Sequence, residues 1–309
     1  MLSKFGALGP NLLMPVHQTQ NSNLCVVVVT YNSAEVISQC LKSVLGPQNA
    51  DASLVVVDNA SSDGTASLVR NKFPSVRLLA NVENFGFGKA NNQVFSSSGA
   101  KYFFLLNPDA TVSSSTLRVA IEFMEACPKI GLAGCRIVNP DGSAQDSVSL
   151  RYPGQKYADA SFDRLPGRIA CVLGAAMIIR GDVLLELNGF DEEFFLYGED
   201  QDLCLRIRKA GYEIGFIDDA LVTHIGGASE SRSDPGEVWR KKSRAEILFY
   251  RKHYSAPAIA RLQRRALASS RWRILSLELA GLFTLISDKN AAKIAKYRAI
   301  QEIYSSAVD

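Results

Sequence analysis

The sequence predicts an α/β fold: a mostly parallel central sheet flanked by helices, followed by a basic helical C-terminal segment. Three observations carry that prediction. Apolar, β-branched runs alternate with stretches of helical spacing. The runs are continuous, not alternating polar and apolar, as in strands covered on both faces. Beyond Asp234 the spacing turns helical, and lysine and arginine become dense.

Residues 1–22 contain Gly, Pro, Asn and Gln without a sustained period and read as a flexible arm. Leu24–Thr30 (LCVVVVT) is the first strand. The spacing over Ala34–Leu45 predicts a helix that stops at Gly46-Pro47. Leu54–Asp58 (LVVVD) is a second buried strand, followed by a helix from about Gly64. Val76–Ala80 is a third strand and Gly86–Ser96 another helix. Tyr102–Leu106 (YFFLL) is a fourth strand, ending at Asn107-Pro108-Asp109. Asn139-Pro140-Asp141-Gly142 is a turn signal, and 143–167 reads as a mobile loop. Cys171–Ile179 (CVLGAAMII) predicts one further buried strand, Glu199–Ala210 a short amphipathic helix, and Tyr212–His224 one or two strands. The chain thus divides into an arm over 1–22, an α/β unit over 23–230 and a helical segment over 231–309.

Composition narrows the function. Of 309 residues, 47% are hydrophobic and 21% charged, the values of an ordinary globular protein. The net charge of +3 is too small to argue for nucleic acid as a partner, but it is unevenly spread. Between Arg232 and Arg273, twelve Lys/Arg stand against three Asp/Glu, a local net of +9 that leaves −6 elsewhere. A basic segment on a neutral-to-acidic body suggests a polyanionic contact, with membrane phosphates and diphosphates as candidates. The six cysteines (Cys25, Cys40, Cys127, Cys135, Cys171, Cys204) show no CxxC spacing and fall mostly in apolar runs. They read as buried free thiols and point to a reducing compartment. No signal peptide is evident in the first twenty residues. The apolar stretch from Ile274 to Ile286 contains Glu278 and falls short of the roughly 20 residues needed to span a bilayer. A cytoplasmic location is expected, peripheral on the membrane if the basic segment meets lipid.

Chemistry concentrates where strands end. The first strand finishes in Thr30-Tyr31-Asn32, the second in Asp58-Asn59 and the fourth in Asn107-Pro108-Asp109. In a parallel sheet these groups share one edge, where such sheets bind ligands. A ring at Tyr31 can stack on a nucleobase, and a carboxylate at Asp58 can accept an imide N–H. A turn with an N-cap is the plainer reading of Asp58 to Asp63. Gly86-Phe87-Gly88-Lys89 opens a helix whose N–H groups and dipole, with Lys89, suit a phosphate. The run lacks a third glycine and precedes the fourth strand, so it is no dinucleotide fingerprint. Asp109, held after Pro108, can coordinate a hard divalent ion that leaves positions for diphosphate oxygens; a type I turn is the alternative. Gly198-Glu199-Asp200-Gln201-Asp202 follows Phe194-Phe195-Leu196-Tyr197 and starts a helix. Its acids either favour the helix dipole or include a general base. A carboxylate beside another and against aromatic rings has a raised pKa, which selects Asp200 as base and Glu199 to orient an acceptor. Asp202 is expected to cap, or to pair with Arg206 at i,i+4. His224 ends an apolar strand and is read equally as structural or as a ligand; His253 is expected on the surface and His17 is uninformative.

Together these residues resemble the inverting glycosyltransferase family two with its GT-A fold. The match runs from about residue 24 to 255 through TYNS (30–33), VVDNASSDGT (56–65), NFGFGKANN (84–92), LLNPDA (105–110), GAAMIIRGD (174–182), GFDEEFFLYGEDQDLCLR (189–206) and THIGG (223–227). The resemblance implies a nucleotide-binding half over about 23–112 and an acceptor half over 113–230. It implies nucleotide contacts at Thr30, Tyr31, Asn32 and Asp58, joined by Asn59, Gly86, Lys89 and Asn107 from the strand-end and helix-start reading. It further implies a divalent metal (Mg²⁺ or Mn²⁺) at Asp109, a second metal or diphosphate contact at His224, and a base at Asp200 with Glu199 and Tyr197 beside the acceptor. In one departure, the family's acidic pair before the metal is here Asn107 and Asp109. The long FFLYGEDQDLCLR version is similar to the rhamnosyltransferase branch, which implies dTDP-L-rhamnose as donor and a glycan or polyprenyl-diphosphate-linked acceptor in cell-wall, O-antigen or capsule synthesis. Lys241, Lys242 and Arg244 are then candidates for diphosphate or lipid contact. UDP-hexose or UDP-N-acetylhexosamine donors are the alternative within the family. A nucleotidyltransferase would need a basic Gly-rich loop after the first strand, where TYNS stands. A non-catalytic scaffold of a polysaccharide assembly complex would not need the acidic set.

Overall fold

The β-branched runs lie side by side in an eight-stranded sheet. The computed structural model describes residues 23–49, 51–157, 160–226, 234–281 and 288–306, so the arm expected over 1–22 lies outside the described residues. In chain order the elements are β1 (Leu24–Thr30), α1 (Ile37–Val44), β2 (Ala52–Asp58), α2 (Thr65–Lys72), β3 (Arg77–Ala80), α3 (Phe87–Phe95) and β4 (Tyr102–Leu106). Then come β5 (Ala110–Val112), α4 (Thr116–Ala126), β6 (Ile130–Val138), β7 (Val148–Ser149), β8 (Cys171–Val172), β9 (Ala176–Arg180), α5 (Gly181–Glu186), α6 (Glu199–Lys209) and β10 (Glu213–His224). Three helices complete the described chain: α7 (Pro235–His253), α8 (Ala256–Gly281) and α9 (Asp288–Ser306).

The main sheet runs β3-β2-β1-β4-β9-β6-β10-β5. Strands β3, β2, β1 and β4 are mutually parallel, as are β6 and β10, while β9 and β5 run antiparallel to their neighbours. This is the mostly parallel α/β arrangement that the alternation predicts. The continuous apolar character of β1 has a direct cause. Val26 and Val28 enter one core layer, Cys25 and Val27 the other, so both faces are covered. Helix α1 closes one face with Ile37, Cys40, Leu41 and Val44.

Two expectations for the α/β unit are corrected. Cys171–Ile179 is not one strand. It breaks at Leu173-Gly174-Ala175 into β8, paired with β7 in a small separate ribbon, and β9, in the main sheet. The segment 143–167, read as a mobile loop, is irregular but anchored. Tyr152 and Phe162 are buried, and the Arg208 guanidinium donates to the carbonyls of Leu165, Pro166 and Gly167 at 2.8 to 3.1 Å.

The basic C-terminal segment shares the same core. Ile247, Phe249, Tyr250, Tyr254, Leu262 and Tyr304 cluster with Phe194, Leu203 and Leu205. His253, expected on the surface, is half-buried, with its side chain only 7% exposed. Its Nε2 lies 2.7 Å from Asp202 Oδ1, while Arg206 Nε donates to Asp202 Oδ2 at 2.7 Å. The i,i+4 pair anticipated for Asp202 is therefore present, with a third partner from α7. Among the described residues no helix is long and apolar enough to cross a membrane. All six cysteines are free thiols, and burial raises the pKa of five of them above the usual thiol value.

Candidate active site

Because β1, β2 and β4 are parallel, their carboxyl ends emerge on one edge. Thr30 pairs directly with Asp58 across β1 and β2, and the amide of Asn59 donates to the Thr30 carbonyl at 2.8 Å. A cavity of about 320 Å³ opens there, with Thr30, Tyr31, Asn59, Gly86, Asn107, Asp109, Tyr197, His224 and Lys242 in its wall. The Tyr31 ring is 46% exposed and uncovered as a stacking surface. Thr30 Oγ1 and Asp58 Oδ1 are buried acceptors without a hydrogen-bond partner among the described residues. Such groups are normally satisfied, which makes this edge suited to a ligand with polar hydrogens. Asp58 stands behind the wall, with Oδ2 held by the amide of Ser61 at 3.0 Å.

Strand β5 turns back on β10 so that Ala110 faces His224, bringing His224 against Asp109. His224 Nε2 lies 3.2 Å from Asp109 Oδ1 and 3.4 Å from Asn107 Nδ2. Gln145 fixes the imidazole from behind. Its Oε1 lies 3.0 Å from His224 Nδ1, and its Nε2 donates to the His224 carbonyl at 2.7 Å and to Asn139 Oδ1 at 2.6 Å. Since Nε2 of Gln145 is committed to two acceptors, its Oε1 must accept, so His224 Nδ1 carries the proton. His224 Nε2 then turns its lone pair, or a second proton, toward the Asp109 carboxylate. A carboxylate oxygen facing an imidazole nitrogen at that distance is satisfied by a cation between them or a proton on the ring. One carboxylate, one imidazole and an amide side chain form a donor set that fits a divalent ion. Among the described residues no three His, Cys, Asp or Glu side chains gather into a fuller cage.

Asp200 opens α6 on the same edge. Its Oδ2 accepts from the amide of Gly174 at 3.2 Å, and the next residue, Ala175, takes the Asn107 amide on its carbonyl at 2.9 Å. The break between β8 and β9 therefore ties the base candidate to the end of β4. Burial raises the Asp200 pKa above the ordinary aspartate value, against amide bonds from Gln201 and Gly174 that lower it. Glu199 is only 6% exposed, and its Oε2 has no partner among the described residues. Burial first, then the Asp200 charge, push its pKa up to about 8. Neither Glu199 nor Asp200 is among the residues of the cavity wall; the two carboxylates sit together at the start of α6.

With this geometry in place, comparison with known proteins decides the family. The model described as Glycosyl transferase family 2 matches residues 25–186, and that described as the N-terminal domain of galactosyltransferase matches 159–226. The chain belongs to glycosyl transferase family 2. It is 26% identical over 262 residues to N-acetylglucosaminyl-diphospho-decaprenol L-rhamnosyltransferase of Mycobacterium tuberculosis, covering 75% of this chain and 85% of that one. It is 22% identical over 212 residues to the rhamnosyltransferase WbbL of Escherichia coli K12, covering 62% and 79%. Among solved structures, the mannosyltransferase PcManGT of Pyrobaculum calidifontis, in complex with GDP-Man and Mn²⁺, superposes with a TM-score of 0.59 at 19% identity, over 93% of this chain and 87% of that one. TarS 1–349 of S. aureus, in complex with UDP-GlcNAc, superposes at 0.53 with 20% identity and 92% of each chain. These likenesses show a GT-A glycosyltransferase fold.

Several residues expected at the glycosyltransferase site are placed differently. The Gly86-Phe87-Gly88 turn is not an open phosphate cradle. The Gly86 amide donates to Asn84 Oδ1 at 2.9 Å and the Phe87 amide to the Phe195 carbonyl at 3.0 Å. A Cβ on Gly86 would stand 2.1 Å from the Phe195 carbonyl oxygen, and one on Gly88 would stand 2.9 Å from Phe190 Cβ. The glycines admit the loop that leads to Asp200. Lys89 points elsewhere, 3.9 Å from Glu192 and over the Phe85 ring. Asn32, at φ +52°, turns its Oδ1 to the Ser62 amide at 2.8 Å and stitches two loops instead of lining the cavity. Asn59 lines it, but spends its side chain on Gly86 O and Asn81 Nδ2, both at 2.9 Å. Lys241 and Arg244 are exposed on α7 outside the wall, whereas Lys242 reaches it, 4.7 Å from the centre of the Tyr197 ring. Tyr197 itself sits at φ +70°, a conformation unusual for a bulky residue, directly before Gly198 at +83°. Missed from the sequence were Asn84, Phe195 and Leu196 in the wall, and Gln145 behind it. The turn signal at 139–142 was the usable clue, since that turn carries Gln145 back alongside β6, its amide donating to the Ile137 carbonyl.

Proposed function

We propose that the protein is an inverting transferase that moves L-rhamnose from dTDP-L-rhamnose to a hydroxyl of a glycan or polyprenyl-diphosphate-linked acceptor. The observation that carries the transfer reading is the meeting, on one sheet edge, of the Asp109–His224 pair with Asp200, two backbone links from Asn107. The rhamnose reading is supported by relatives named as rhamnosyltransferases, one named for an N-acetylglucosaminyl-diphospho-decaprenol acceptor.

In this reading Tyr31 stacks on the base and Asp58 accepts its imide hydrogen with the orphan Oδ1. Asp109 and His224, with Asn107 as a neutral ligand, hold a divalent ion. Bound there, it supplies charge neutralisation to the departing diphosphate as a Lewis acid. Lys242 adds a cation from the same cavity wall and Tyr197 flanks the acceptor. Asp200 takes the proton of the acceptor hydroxyl as its oxygen bonds to the anomeric carbon. The carbon–oxygen bond to the diphosphate breaks, the nucleoside diphosphate leaves with the electron pair, and configuration inverts.

The membrane reading of the basic segment has one further support. Trp272, Leu275 and Leu279 on α8 are 67%, 50% and 50% exposed, and Arg271 and Arg273 flank the tryptophan. An apolar stripe bordered by arginine suits an anionic bilayer surface.

Thermal-shift measurements with dTDP, UDP and GDP and their sugars, with and without Mn²⁺, test the function. The strongest stabilisation is expected from dTDP-rhamnose with Mn²⁺, and Asp109→Ala is expected to remove the metal-dependent part. A preference for UDP ligands would overturn the rhamnose reading. Indifference to every nucleotide would overturn the donor site.

A further inference from the structure

A second cavity, of about 290 Å³, lies between α7, α8 and α9. Lys242 stands in the wall of both this cavity and the donor cavity, so the two spaces meet at one side chain. Lys242 also stacks on Tyr197, three residues before Asp200.

The chemistry of the second cavity is cationic and aromatic. Lys296 Nζ sits 3.5 Å from the centre of the Trp239 ring and 5.7 Å from that of Tyr297; Lys242 Nζ sits 5.7 Å from the same indole. Two ammonium groups that share one ring repel each other at short range. The Lys296 pKa is accordingly lowered, by burial first and then by the Lys242 charge. Lys242 and Arg265 are the cations of the wall among the described lining residues, and Lys296 stands against its tryptophan. Glu246, the acid among the described lining residues, receives the Tyr250 hydroxyl on one oxygen at 2.7 Å and the Tyr304 hydroxyl on the other at 2.6 Å. Its charge is thus engaged by the tyrosines. Lysines stacked on surface aromatics are common as mere packing. Here two cations line a concave, aromatic space that shares Lys242 with the donor cavity, and a third stands on its tryptophan.

We infer that this cavity holds the phosphate-bearing head of the acceptor, a diphosphate ester, with Lys242, Lys296 and Arg265 meeting its oxygens and Trp239 and Tyr297 flanking the esterified group. The inference rests on the proposed function above and gives the diphosphate-linked acceptor of that reading a place in the fold, between α7, α8 and α9. Planar aromatic walls suit a sugar ring or a prenyl chain, and three cations suit a group bearing two or more negative charges.

The test uses the full chain and geranyl diphosphate as probe. Calorimetric titration is run with excess dTDP and Mn²⁺ filling the donor cavity. Binding is expected, weakened at least about tenfold in a Lys296→Gln/Arg265→Gln double variant, while dTDP affinity stays unchanged. In the native protein the probe is also expected to slow acylation of Lys296 by an amine-reactive reagent, a readout independent of how the variant folds. Equal affinity in the variant, or unchanged acylation of Lys296, overturns the inference. Phosphatidylglycerol vesicles form the second arm. If they protect Lys296 and geranyl diphosphate does not, the cations serve a lipid headgroup and the inference fails. Absence of dTDP binding would count against the donor reading, and the geranyl diphosphate titration of native and variant protein would still decide this one.

Discussion

Replacing Glu199 by Gln separates the two adjacent carboxylates more sharply than any other single change. Glu199 is almost fully buried, has no partner on Oε2 among the described residues, and has its pKa moved from 4.5 to about 8, first by burial and then by Asp200. Burial also raises the Asp200 pKa; the proposed mechanism, with Asp200 as base, requires the proton held by the pair to sit on Glu199. At about 1.36 kcal/mol per pH unit, ionising Glu199 in the folded protein costs at most ~5 kcal/mol. The folded state binds more protons than the unfolded one between pH 4.5 and about 8, so stability falls as pH rises through that window. Glu199→Gln mimics the protonated form. Its melting temperature is expected to match the native protein near pH 5 and exceed it above pH 8. Transfer at pH 7 is expected to stay within about threefold, and any inflection near pH 8 is expected to vanish from the rate profile. Asp200→Asn is expected to lose roughly 10²–10⁴-fold of the transfer rate at every pH, the span of general-base catalysis, with donor binding intact. The two profiles are read from initial rates of sugar transfer between pH 5 and 9, with melting followed in parallel. The reasoning is refuted if Glu199→Gln is as inactive as Asp200→Asn at pH 7, or if the native protein gains stability between pH 5 and 8 relative to the variant.

Three further outcomes follow. Gln145→Leu is expected to weaken Mn²⁺ binding about 10–100-fold, the usual effect of removing a ligand's outer hydrogen-bond partner; nitrogen NMR of His224 is expected to show loss of the fixed Nδ1–H tautomer, and an unchanged spectrum would remove Gln145 from the site. Gly86→Ala is expected to destabilise the fold by more than about 1 kcal/mol, because its Cβ would meet the Phe195 carbonyl oxygen at 2.1 Å in a backbone at φ +80°; denaturant melts that overlay the native curve would contradict this. Serine at Trp272, Leu275 and Leu279 together is expected to reduce co-sedimentation with anionic vesicles without altering nucleotide-induced stabilisation, and equal co-sedimentation would discard the stripe as a membrane face.

The sheet was legible where residues face two cores. LCVVVVT, LVVVD and YFFLL are continuous because each strand is sandwiched, and their polar ends mark the edge where the cavity opens. Strand β6 was not, because close packing dilutes its apolar signal with glycine. A Cβ on Gly134 would stand 2.7 Å from Val172 Cβ, and one on Gly131 would stand 2.9 Å from Ile207 Cγ2. The break inside Cys171–Ile179 was hidden for a related reason. Nothing in CVLGAAMII announces that the Gly174 amide is needed by a carboxylate 26 residues later. The Gly86-Phe87-Gly88 signal was real but ambiguous. Glycine at a helix start serves either an anion or the close approach of another chain segment, and only the position of Phe195 distinguishes them. His253 was misjudged because its neighbours Arg251 and Lys252 suggested a solvated face, whereas its partner Asp202 lies on a different helix.

That last contact changes what the C-terminal helices are for. Asp202 is 1% exposed, and a carboxylate so buried is tolerated only when paired and hydrogen-bonded. Arg206 satisfies one oxygen from within α6; His253, from the last turn of α7, satisfies the other. The same helix α6 begins with Asp200, and the same helix α7 carries Lys242 into the donor cavity and Trp239 into the second one. Moving α7 away would leave a buried charge half-paired two residues from Asp200 and withdraw a cation from the cavity wall in one motion. The basic helical segment is therefore part of the site's wall and of its electrostatics, not an appendage to a finished α/β unit. Its charge is accounted for accordingly: some of it, as at Lys242, is directed inward at the cavities, and the rest, as at Lys241 and Arg244, remains on the outer surface.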